Sequence, residues 1–226
     1  MKILSIIPAR GGSKGIPLKN LAKIHGRSML FYTVNASLKS KFINKTIVST
    51  DNKKIVTEAQ KLGAEIILRP KKLAEDSIHL ESVVEHVLSY LKLNEKYVPD
   101  IIVLLQITSP LRTTKHIDEA IEKLRKGKYD SIISGRKSHL FLWQINKNKT
   151  VKPINYNPQK RPNRQEMKNQ LIENGAIYIT KHNYFKKTNC RIGGRIGFYE
   201  MPEELSIDVD KFSDLKDAEK IINRKK

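Results

Sequence analysis

The fold of this chain is decided by one stretch near its start, Ile3-Leu-Ser-Ile-Ile-Pro-Ala-Arg-Gly-Gly-Ser-Lys-Gly-Ile-Pro-Leu-Lys-Asn20. Residues 3–7 form a short apolar run, which is typical of a strand buried on both faces of a parallel sheet. Pro8 lacks the backbone N–H that would continue a strand ladder, so we expect the strand to end there. The stretch therefore predicts a buried strand that is followed at once by a loop at its carboxyl end.

The loop after this strand combines glycines with basic side chains. Glycines let the backbone N–H groups approach a ligand closely, and three cations within ten residues suit a triphosphate. The spacing is neither that of a Walker A loop nor Gly-x-Gly-x-x-Gly. The alternative interpretation is an ordinary glycine-rich turn with solvated lysines. The position of the loop argues against it, because open α/β sheets bind ligands at the carboxyl ends of their strands. The residues concerned are Arg10, Gly11, Gly12, Lys14, Gly15 and Lys19.

Length and composition indicate one large α/β domain. The chain has 226 residues, of which 39% are hydrophobic and 29% charged, as in a globular protein with a substantial core. No apolar run approaches the roughly 20 residues of a membrane span, and the first run is too short for a signal peptide. Cys190 is the single cysteine, which excludes an internal disulfide or a cysteine-based metal cluster. We therefore expect a cytoplasmic protein without membrane association.

The formal net charge of +20 raises the possibility of a nucleic-acid partner. The excess is spread along the whole chain and is mostly lysine, the aromatic content is only 7%, and no nucleic-acid-binding module accompanies it. We interpret most of this charge as solvated surface, with a local subset that attracts anionic small molecules.

Strands and helices alternate over the first 135 residues. The run 100–105 is apolar on both faces, so it should lie at the centre of the sheet. Asp51 is predicted to cap the second helix, and Thr113 or Thr114 the fourth. This β-α-β-α-β spacing predicts a doubly wound, mostly parallel sheet flanked by helices. The predicted helices are 28–38, 51–63, 80–91 and 115–126, and the predicted strands after the first are 45–50, 65–69, 100–105 and 131–134.

The chain changes character in the segment 136–170, which lacks a long periodic pattern. A hairpin turning at 146–149 is predicted there, and exposed Phe141 and Trp143 would favour a partner surface. We therefore divide the chain into an α/β domain, residues 1–135 and 171–226, and an inserted arm, residues 136–170. Order returns with strands at 174–180 and 196–199, a short helix at 182–187, and a last helix capped by Ser213.

Asp208 and Asp210 alternate in an extended segment, so both carboxylates should point to the same side. Two hard oxygen ligands near a phosphate-binding loop predict a Mg²⁺ site. An Asp-x-Asp pair alone is weak evidence, because capping or solvated acids have the same pattern. The six histidines show no spacing typical of metal ligands, and no motif supports Ser-His-Asp catalysis.

Several motifs together resemble those of the acylneuraminate cytidylyltransferases, which make CMP-sugars from CTP and nonulosonic acids with release of pyrophosphate. The match covers nearly the whole chain, and the motifs occur in the same order at similar spacing. In this family the fold is a Rossmann-like nucleotidyltransferase, and the middle segment is a dimerisation arm that reaches over the partner's site. The matching segments are Pro8 to Asn20, Ile47 to Asp51, Arg69-Pro70, Leu105 to Arg112, Arg164-Gln165, Asn174 to Tyr178 and Ser206 to Asp210.

The resemblance also implies a role for each matching residue. CTP would be bound by Arg10, Gly11, Gly12, Ser13, Lys14, Lys19, Asn20, Arg69, Leu80 and Ser82; the sugar by Gln106, Arg164, Asn174 and Tyr178; and Mg²⁺ by Asp208 and Asp210. Arg10, Lys19 and Asp210 would be catalytic, with Asp210 helping to deprotonate the attacking hydroxyl. The implied partners are CTP, an acidic nine-carbon sugar and a second copy of the chain, with no nucleic acid and no membrane.

Two departures from the family pattern concern the sugar. Sialic-acid-specific members often have Arg-Pro where this chain has Ile172-Glu173, and some have two aromatics where Arg191-Ile192 follow Cys190. N-acetylneuraminate and legionaminate therefore both stay open as substrates. Pseudaminate and 3-deoxy-manno-octulosonate are less favoured acidic sugars for the same reaction. A basic nucleic-acid-binding protein, which belongs to a different functional class, is the least favoured interpretation.

Overall fold

The structure, a computed structural model, describes residues 1–167 and 170–224. Within these ranges the strands are β1 Ile3–Pro8, β2 Lys23–Ile24, β3 Arg27–Ser28, β4 Lys45–Thr50, β5 Glu65–Leu68, β6 Ile101–Leu104, β7 Ser131–Lys137, β8 Trp143–Ile145, β9 Val151–Pro153, β10 Leu171–Lys181 and β11 Ile196–Glu200. The helices are α1 Met29–Leu38, α2 Lys53–Lys61, α3 Leu80–Glu95, α4 Thr114–Lys126, α5 His182–Thr188 and α6 Phe212–Arg224.

Seven of these strands form one sheet in the order β11-β7-β10-β6-β1-β4-β5. β1 pairs in parallel with β4 and β6, so Ile6 lies opposite Ile47 on one side and Leu104 on the other. β5 is parallel to β4 and β11 is parallel to β7, whereas β10 is antiparallel to both of its neighbours. The predicted mostly parallel sheet is thus confirmed, and β6 has the predicted central position.

Helices cover both faces of the sheet because its central strands are apolar at consecutive positions, whose side chains point to opposite faces. In β1, Ile3 and Ile7 belong to one buried cluster, and Leu4 and Ile6 belong to another. The first cluster also contains residues of α1, α2, α4 and α6, and the second contains residues of α3 and α5. This arrangement is the doubly wound architecture that the sequence predicts.

The cap of α2 differs from the prediction. Asn52, not Asp51, caps this helix: its side-chain oxygen accepts hydrogen bonds from the backbone N–H groups of Lys54 and Ile55. Asp51 accepts instead a hydrogen bond of 2.9 Å from the backbone N–H of Gly11. Asp and Asn are equally good caps by residue type. Asn52 is the cap here because the Asp51 carboxylate is already hydrogen-bonded to the glycine-rich loop.

The start of α6 was also predicted wrongly. The helix begins at Phe212, so Ser213 lies inside its first turn. The carboxylate of Asp214 accepts hydrogen bonds from the backbone N–H groups of Asp210 and Lys211, at 2.9 and 2.8 Å. Thr113, by contrast, does cap α4, in a capping box with His116.

The inserted segment leaves the sheet between β7 and β10, where Lys137 is paired with Leu171. β8 and β9 form the predicted antiparallel hairpin. Apolar side chains on and beside this hairpin are exposed, including Trp143, Ile145, Val151 and Ile154. Phe141, which was predicted to be exposed, is half-buried against Tyr156, with ring centroids 4.7 Å apart. Lys168 and Asn169 of the predicted arm lie outside the described residues.

Over residues 1–167 and 170–224, the structure contains no helix with the length and apolar character that crossing a bilayer requires.

Candidate active site

A cavity of about 650 Å³ opens at the carboxyl ends of the parallel strands β1, β5 and β6. This edge is where open α/β sheets bind ligands. The cavity is lined by nine of the predicted site residues, namely Arg10, Ser13, Lys14, Lys19, Asn20, Arg69, Leu80, Gln106 and Asp210. Seven others are not among its lining residues: Gly11, Gly12, Ser82, Arg164, Asn174, Tyr178 and Asp208.

The cations of the glycine-rich loop are paired with an acid that sequence reasoning missed. Asp76 lies between β5 and α3, and its carboxylate contacts Arg10 Nη1 at 2.5 Å and Lys14 Nζ at 2.9 Å. These two hydrogen-bonded cations lower the pKa of Asp76. No periodic pattern marks this residue, because its role depends on two loops meeting in space. Asp76 therefore stands where an anionic ligand would meet the loop.

The third cation of the loop contacts the acidic segment instead. Lys19 begins a short 3₁₀ turn, and its ammonium donates to the Asp210 carboxylate at 2.9 Å and to the Val209 carbonyl at 3.0 Å. The side-chain amide of Asn20 donates a hydrogen bond of 2.8 Å to the Arg10 carbonyl, which connects the end of the loop to its beginning. A Cβ on Gly15 would lie 2.6 Å from the Asp210 carbonyl oxygen, so only glycine permits this close approach. Loop and acidic segment are thus packed together.

The predicted alternation of the two acids is confirmed. Asp208 and Asp210 are exposed on either side of Val209, which is fully buried and donates its N–H to the Thr108 carbonyl at 2.8 Å. The surrounding protein removes part of the hydration of Asp208 and raises its pKa, and the nearby charge of Asp210 acts in the same direction. A hydrogen bond with the Thr108 side chain opposes this shift.

This donor set fits a hard divalent cation. Among the described residues, no three His, Cys, Asp or Glu side chains converge to form a complete metal cage. Two carboxylates are nevertheless what Mg²⁺ commonly takes from a protein, since substrate phosphates and water supply its remaining ligands. Burial is the larger cause of the raised pKa of Asp208, and the charge of Asp210 adds to it; a cation bound between the two acids would relieve this repulsion.

Arg69 follows β5 and lines the opposite part of the cavity. It is only 6% exposed, and burial lowers its pKa. The Asp51 carboxylate opposes this effect, and Arg10 adds to it. The Nε of Arg69 has no hydrogen-bond partner among the described residues. A buried donor without a partner is costly, so Arg69 is suited to bind a ligand that offers an acceptor.

The predicted sugar residues are divided between the cavity and the interior. Gln106 lines the cavity, whereas Asn174 is buried behind it. The Asn174 amide accepts from Ser134 Oγ at 2.7 Å and donates to Ser206 Oγ at 3.1 Å. Its side chain therefore joins β7 to the segment that carries the two acids. Direct contact of Asn174 with a sugar stays a prediction, and so does that of Arg164, which is exposed in the inserted segment.

Tyr178 belongs to a polar cluster that the sequence did not reveal. Its hydroxyl donates to Glu173, and the guanidinium of Arg191 lies over its ring, 5.0 Å from the centroid. Arg191 is also paired with Glu81 at the start of α3. Burial and then Glu173 raise the pKa of Tyr178. Glu173 and Arg191 each belong to one of the two pairs, Ile172-Glu173 and Arg191-Ile192, at which the sequence departs from the family pattern, and both contact Tyr178.

Replacing Asp76 tests whether it competes with anions for the loop. In Asp76→Asn, Arg10 and Lys14 lose a carboxylate partner, so the affinity for inorganic tripolyphosphate should rise by up to about fivefold, the range of an exposed ion pair. Isothermal titration calorimetry measures this. The control is Glu75→Gln, which removes the same charge from the neighbouring cavity residue without an ion pair. Equal gains in the two variants would contradict a specific role for Asp76.

Because the pKa of Asp208 is raised, we expect that replacing this residue with a neutral one stabilises the folded chain at neutral pH and not at low pH. A carboxyl whose pKa exceeds its ordinary 3.8 in the folded state contributes stability below pH 3.8, and this is lost as the pH rises through the raised pKa. Without divalent cations, Asp208→Asn should therefore melt at a higher temperature than the unmodified chain at pH 7, and the difference should vanish below pH 3.8.

Asp130→Asn provides a control of opposite sign. The Arg195 N–H and the Lys181 ammonium lower the pKa of Asp130, so its contribution is present above pH 3.8 and is lost as the pH falls through the lowered pKa. This variant should melt at a lower temperature than the unmodified chain at pH 7. An Asp208→Asn variant that is also less stable at pH 7 would contradict the assignment.

Sequence comparison identifies relatives over almost the whole chain. The cytidylyltransferase family profile matches residues 4–225. N-acylneuraminate cytidylyltransferase A of Danio rerio is 34% identical over 225 residues, which are 98% of this chain and 51% of that protein. The N-acylneuraminate cytidylyltransferase of Escherichia coli O18:K1:H7 is 32% identical over 233 residues, 99% of this chain and 53% of that protein. The chain thus spans about half the length of these curated relatives.

Solved structures show the same fold at low identity. CMP:2-keto-3-deoxy-manno-octonic acid synthetase, complexed with CTP, matches with a TM-score of 0.72 and 17% identity, covering 100% of both chains. The 4-diphosphocytidyl-2C-methyl-D-erythritol synthase of Anaerococcus prevotii matches with a TM-score of 0.70 and 16% identity, covering 99% of both chains. The family match over residues 4–225 is decisive, and the chain belongs to the cytidylyltransferase family.

Proposed function

We propose that this chain transfers CMP from CTP to the anomeric hydroxyl of a nonulosonic acid, N-acetylneuraminate or legionaminate, with release of pyrophosphate. The observation that carries the proposal is the meeting of a cationic glycine loop and the acidic segment at one cavity, which Asp210 lines and where its carboxylate contacts Lys19 at 2.9 Å. The relatives named N-acylneuraminate cytidylyltransferases support the choice of both substrates.

The cationic loop would hold the triphosphate. Arg10, Lys14 and Lys19 line the cavity and offer donors whose charge opposes that of the phosphate oxygens. During transfer, negative charge is redistributed over the α-phosphate and the leaving pyrophosphate, so fixed cations stabilise the transition state more than water would. Asn20 keeps this loop in shape through its bond to the Arg10 carbonyl.

Asp208 and Asp210 would hold Mg²⁺, which supplies charge stabilisation at the phosphate oxygens. Asp210 also has a role of its own. In the reaction, the hydroxyl oxygen forms a bond to the α-phosphorus, the bond from that phosphorus to the bridging pyrophosphate oxygen breaks, and the hydroxyl loses its proton. We assign the acceptance of this proton to Asp210, whose carboxylate is exposed at the cavity and held by Lys19.

The base and the sugar would lie on either side of this phosphate region. Arg69, with an unpartnered Nε, suits the acceptor atoms of cytosine or ribose, and Leu80 offers an apolar surface beside it. Gln106 suits the hydroxyl and carboxylate groups of the sugar. The free thiol of Cys190 is compatible with a reducing cytoplasm, where we place the reaction.

Pyrophosphate release tests the proposal. With CTP and Mg²⁺, we expect turnover with N-acetylneuraminate or legionaminate and slower turnover with pseudaminate and 3-deoxy-manno-octulosonate. CTP should be preferred over UTP by about two to three orders of magnitude if buried polar groups such as Arg69 read the base. Asp210→Ala should lose turnover, whereas Asp217→Asn, an exposed acid on α6, should retain it. Absence of turnover with every sugar in the panel would overturn the proposal.

We also propose a homodimer formed through the hairpin of β8 and β9. Trp143, Ile145 and Ile154 are 48%, 74% and 60% exposed, although a two-stranded hairpin is too thin to bury them itself. A second copy could cover this surface across a two-fold axis. Arg164, in the same inserted segment, would then reach the partner's sugar site, and it is not among the residues that line the cavity of its own chain.

Light scattering at low micromolar concentration should give about twice the 26.0 kDa mass of the chain. Ile145→Asp should yield monomers, whereas Leu93→Asp, at an equally exposed apolar residue outside the hairpin, should not. Mixing Arg164→Ala chains with Asp208→Ala chains should restore part of the activity if the two residues serve one site from different chains. A fully active monomer would contradict the dimer, and a dimer without restored activity would contradict the shared site.

A further inference from the structure

A buried arginine lies directly behind the cavity and has no role in the function proposed above. Arg112 lies in the loop between β6 and α4 and is only 2% exposed. Its Nη1 donates to the Gln106 carbonyl at 3.0 Å and to the Ala176 carbonyl at 2.9 Å. One guanidinium nitrogen therefore connects the second residue after β6 to the middle of β10.

Within residues 1–167 and 170–224, no acid is paired with Arg112. Nε and Nη2 have no hydrogen-bond partner among the described residues, and none of the ion pairs found in that part of the chain includes Arg112. Burial lowers its pKa to about 9, which leaves the guanidinium protonated at neutral pH. A buried cation held by carbonyl groups alone is costly, and an apolar side chain of similar volume often stabilises such a site better. Because the buried Arg112 guanidinium costs folding free energy, we infer that it is present for a purpose other than stabilising the fold.

The two carbonyls belong to segments that determine where Gln106 lies. The register of β10 shifts between Glu173 and Tyr178, and Gly175 within this bulge has a φ of +67°. A Cβ on Gly175 would lie only 2.7 Å from Gln106 Oε1. The Gln106 side chain is therefore packed between the bulge and the cavity, and Arg112 holds the backbones on both sides of this contact.

The loop that Arg112 closes also reaches the acidic segment. Ser109 Oγ donates to the Asn174 carbonyl at 3.2 Å, and the Thr108 carbonyl accepts from the Val209 N–H at 2.8 Å. Movement of the loop would thus displace Gln106 first and the segment of Asp208 and Asp210 second. Arg10, Lys14 and Arg69 lie on other segments of the cavity wall.

We propose that Arg112 is a positioning residue that fixes Gln106 against the β10 bulge and thereby sets how tightly the acidic sugar is held. This inference rests on the proposed function for its effect on the sugar. The placement of Gln106 itself can be tested without turnover.

A double-mutant cycle with Gln106 provides the kinetic test. Arg112→Met should raise KM for the sugar about tenfold, equivalent to about 1.4 kcal/mol, and change KM for CTP less than about twofold. In the Gln106→Ala background the same substitution should change KM for the sugar less than about twofold, because its effect passes through Gln106. Arg112→Lys keeps the charge but not the planar guanidinium, so it should restore only part of the affinity, and it replaces Arg112→Met if that variant does not fold.

The control is Leu124→Ala, which opens the buried core at the far end of α4 and destabilises the chain without touching the loop. It should leave both KM values within about twofold. Additive effects of Arg112→Met and Gln106→Ala, or equal increases of KM for CTP and for the sugar, would overturn the inference.

Hydrogen exchange separates this inference from the proposed function. Amides of residues 106–112 and 174–178 should exchange faster in Arg112→Met than in Leu124→Ala, as measured by mass spectrometry without substrate. If the unmodified chain turns over none of the sugars, the proposed function fails while exchange still decides the positioning role. Unchanged exchange in both segments would overturn that role even in an active enzyme.

Discussion

Electrostatic repulsion within the glycine-rich loop is the constraint on which the arrangement of the cavity depends. The loop brings Arg10, Lys14 and Lys19 within ten residues of one another. Asp76 and Asp210, from two distant segments, balance them at distances of 2.5 to 2.9 Å. Parallel pairing of β1, β4, β5 and β6 makes this possible, because the loop after β5, which carries Asp76, then lies at the same edge of the sheet as the glycine-rich loop. The loop after β6 lies there too, and its Thr108 carbonyl accepts a hydrogen bond from Val209 beside Asp210. The cavity is thus enclosed by ion pairs that a phosphate can replace.

The periodic features of the fold could be predicted from the sequence, whereas choices between neighbouring residues could not. Runs that are apolar on both faces identified β1 and β6 as buried strands, because a two-faced sheet requires that pattern. Asp51 and Asn52 are equivalent as caps by residue type, and only the tertiary hydrogen bond from Gly11 to Asp51 separates their roles. Pattern alone contains no information about such a contact.

The same distinction applies to the candidate site. Arg10, Lys19 and Asp210 could be predicted because charge and glycine content are concentrated within short motifs. Asp76 could not, since it stands in a loop without any motif and acquires its role from two cations far away in the sequence. Asn174, by contrast, lies within a recognisable motif but is buried and hydrogen-bonded to Ser134 and Ser206. It therefore contributes to the structure behind the cavity.

In the proposed function, the three cations of the loop exchange one partner for another when the substrate binds, so that their charge is balanced before and after binding. Lys19 is 17% exposed and its partner Asp210 is 69% exposed, so the ion pair between them is weakly shielded from competing ions. In the proposed function, a triphosphate would bind Lys19 and so leave the Asp210 carboxylate for a divalent cation or for the proton of the attacking hydroxyl. Arg10 and Lys14 can likewise leave Asp76 for phosphate oxygens. The repulsion among the three cations would then also favour nucleotide binding, since a polyanion can contact all three at once.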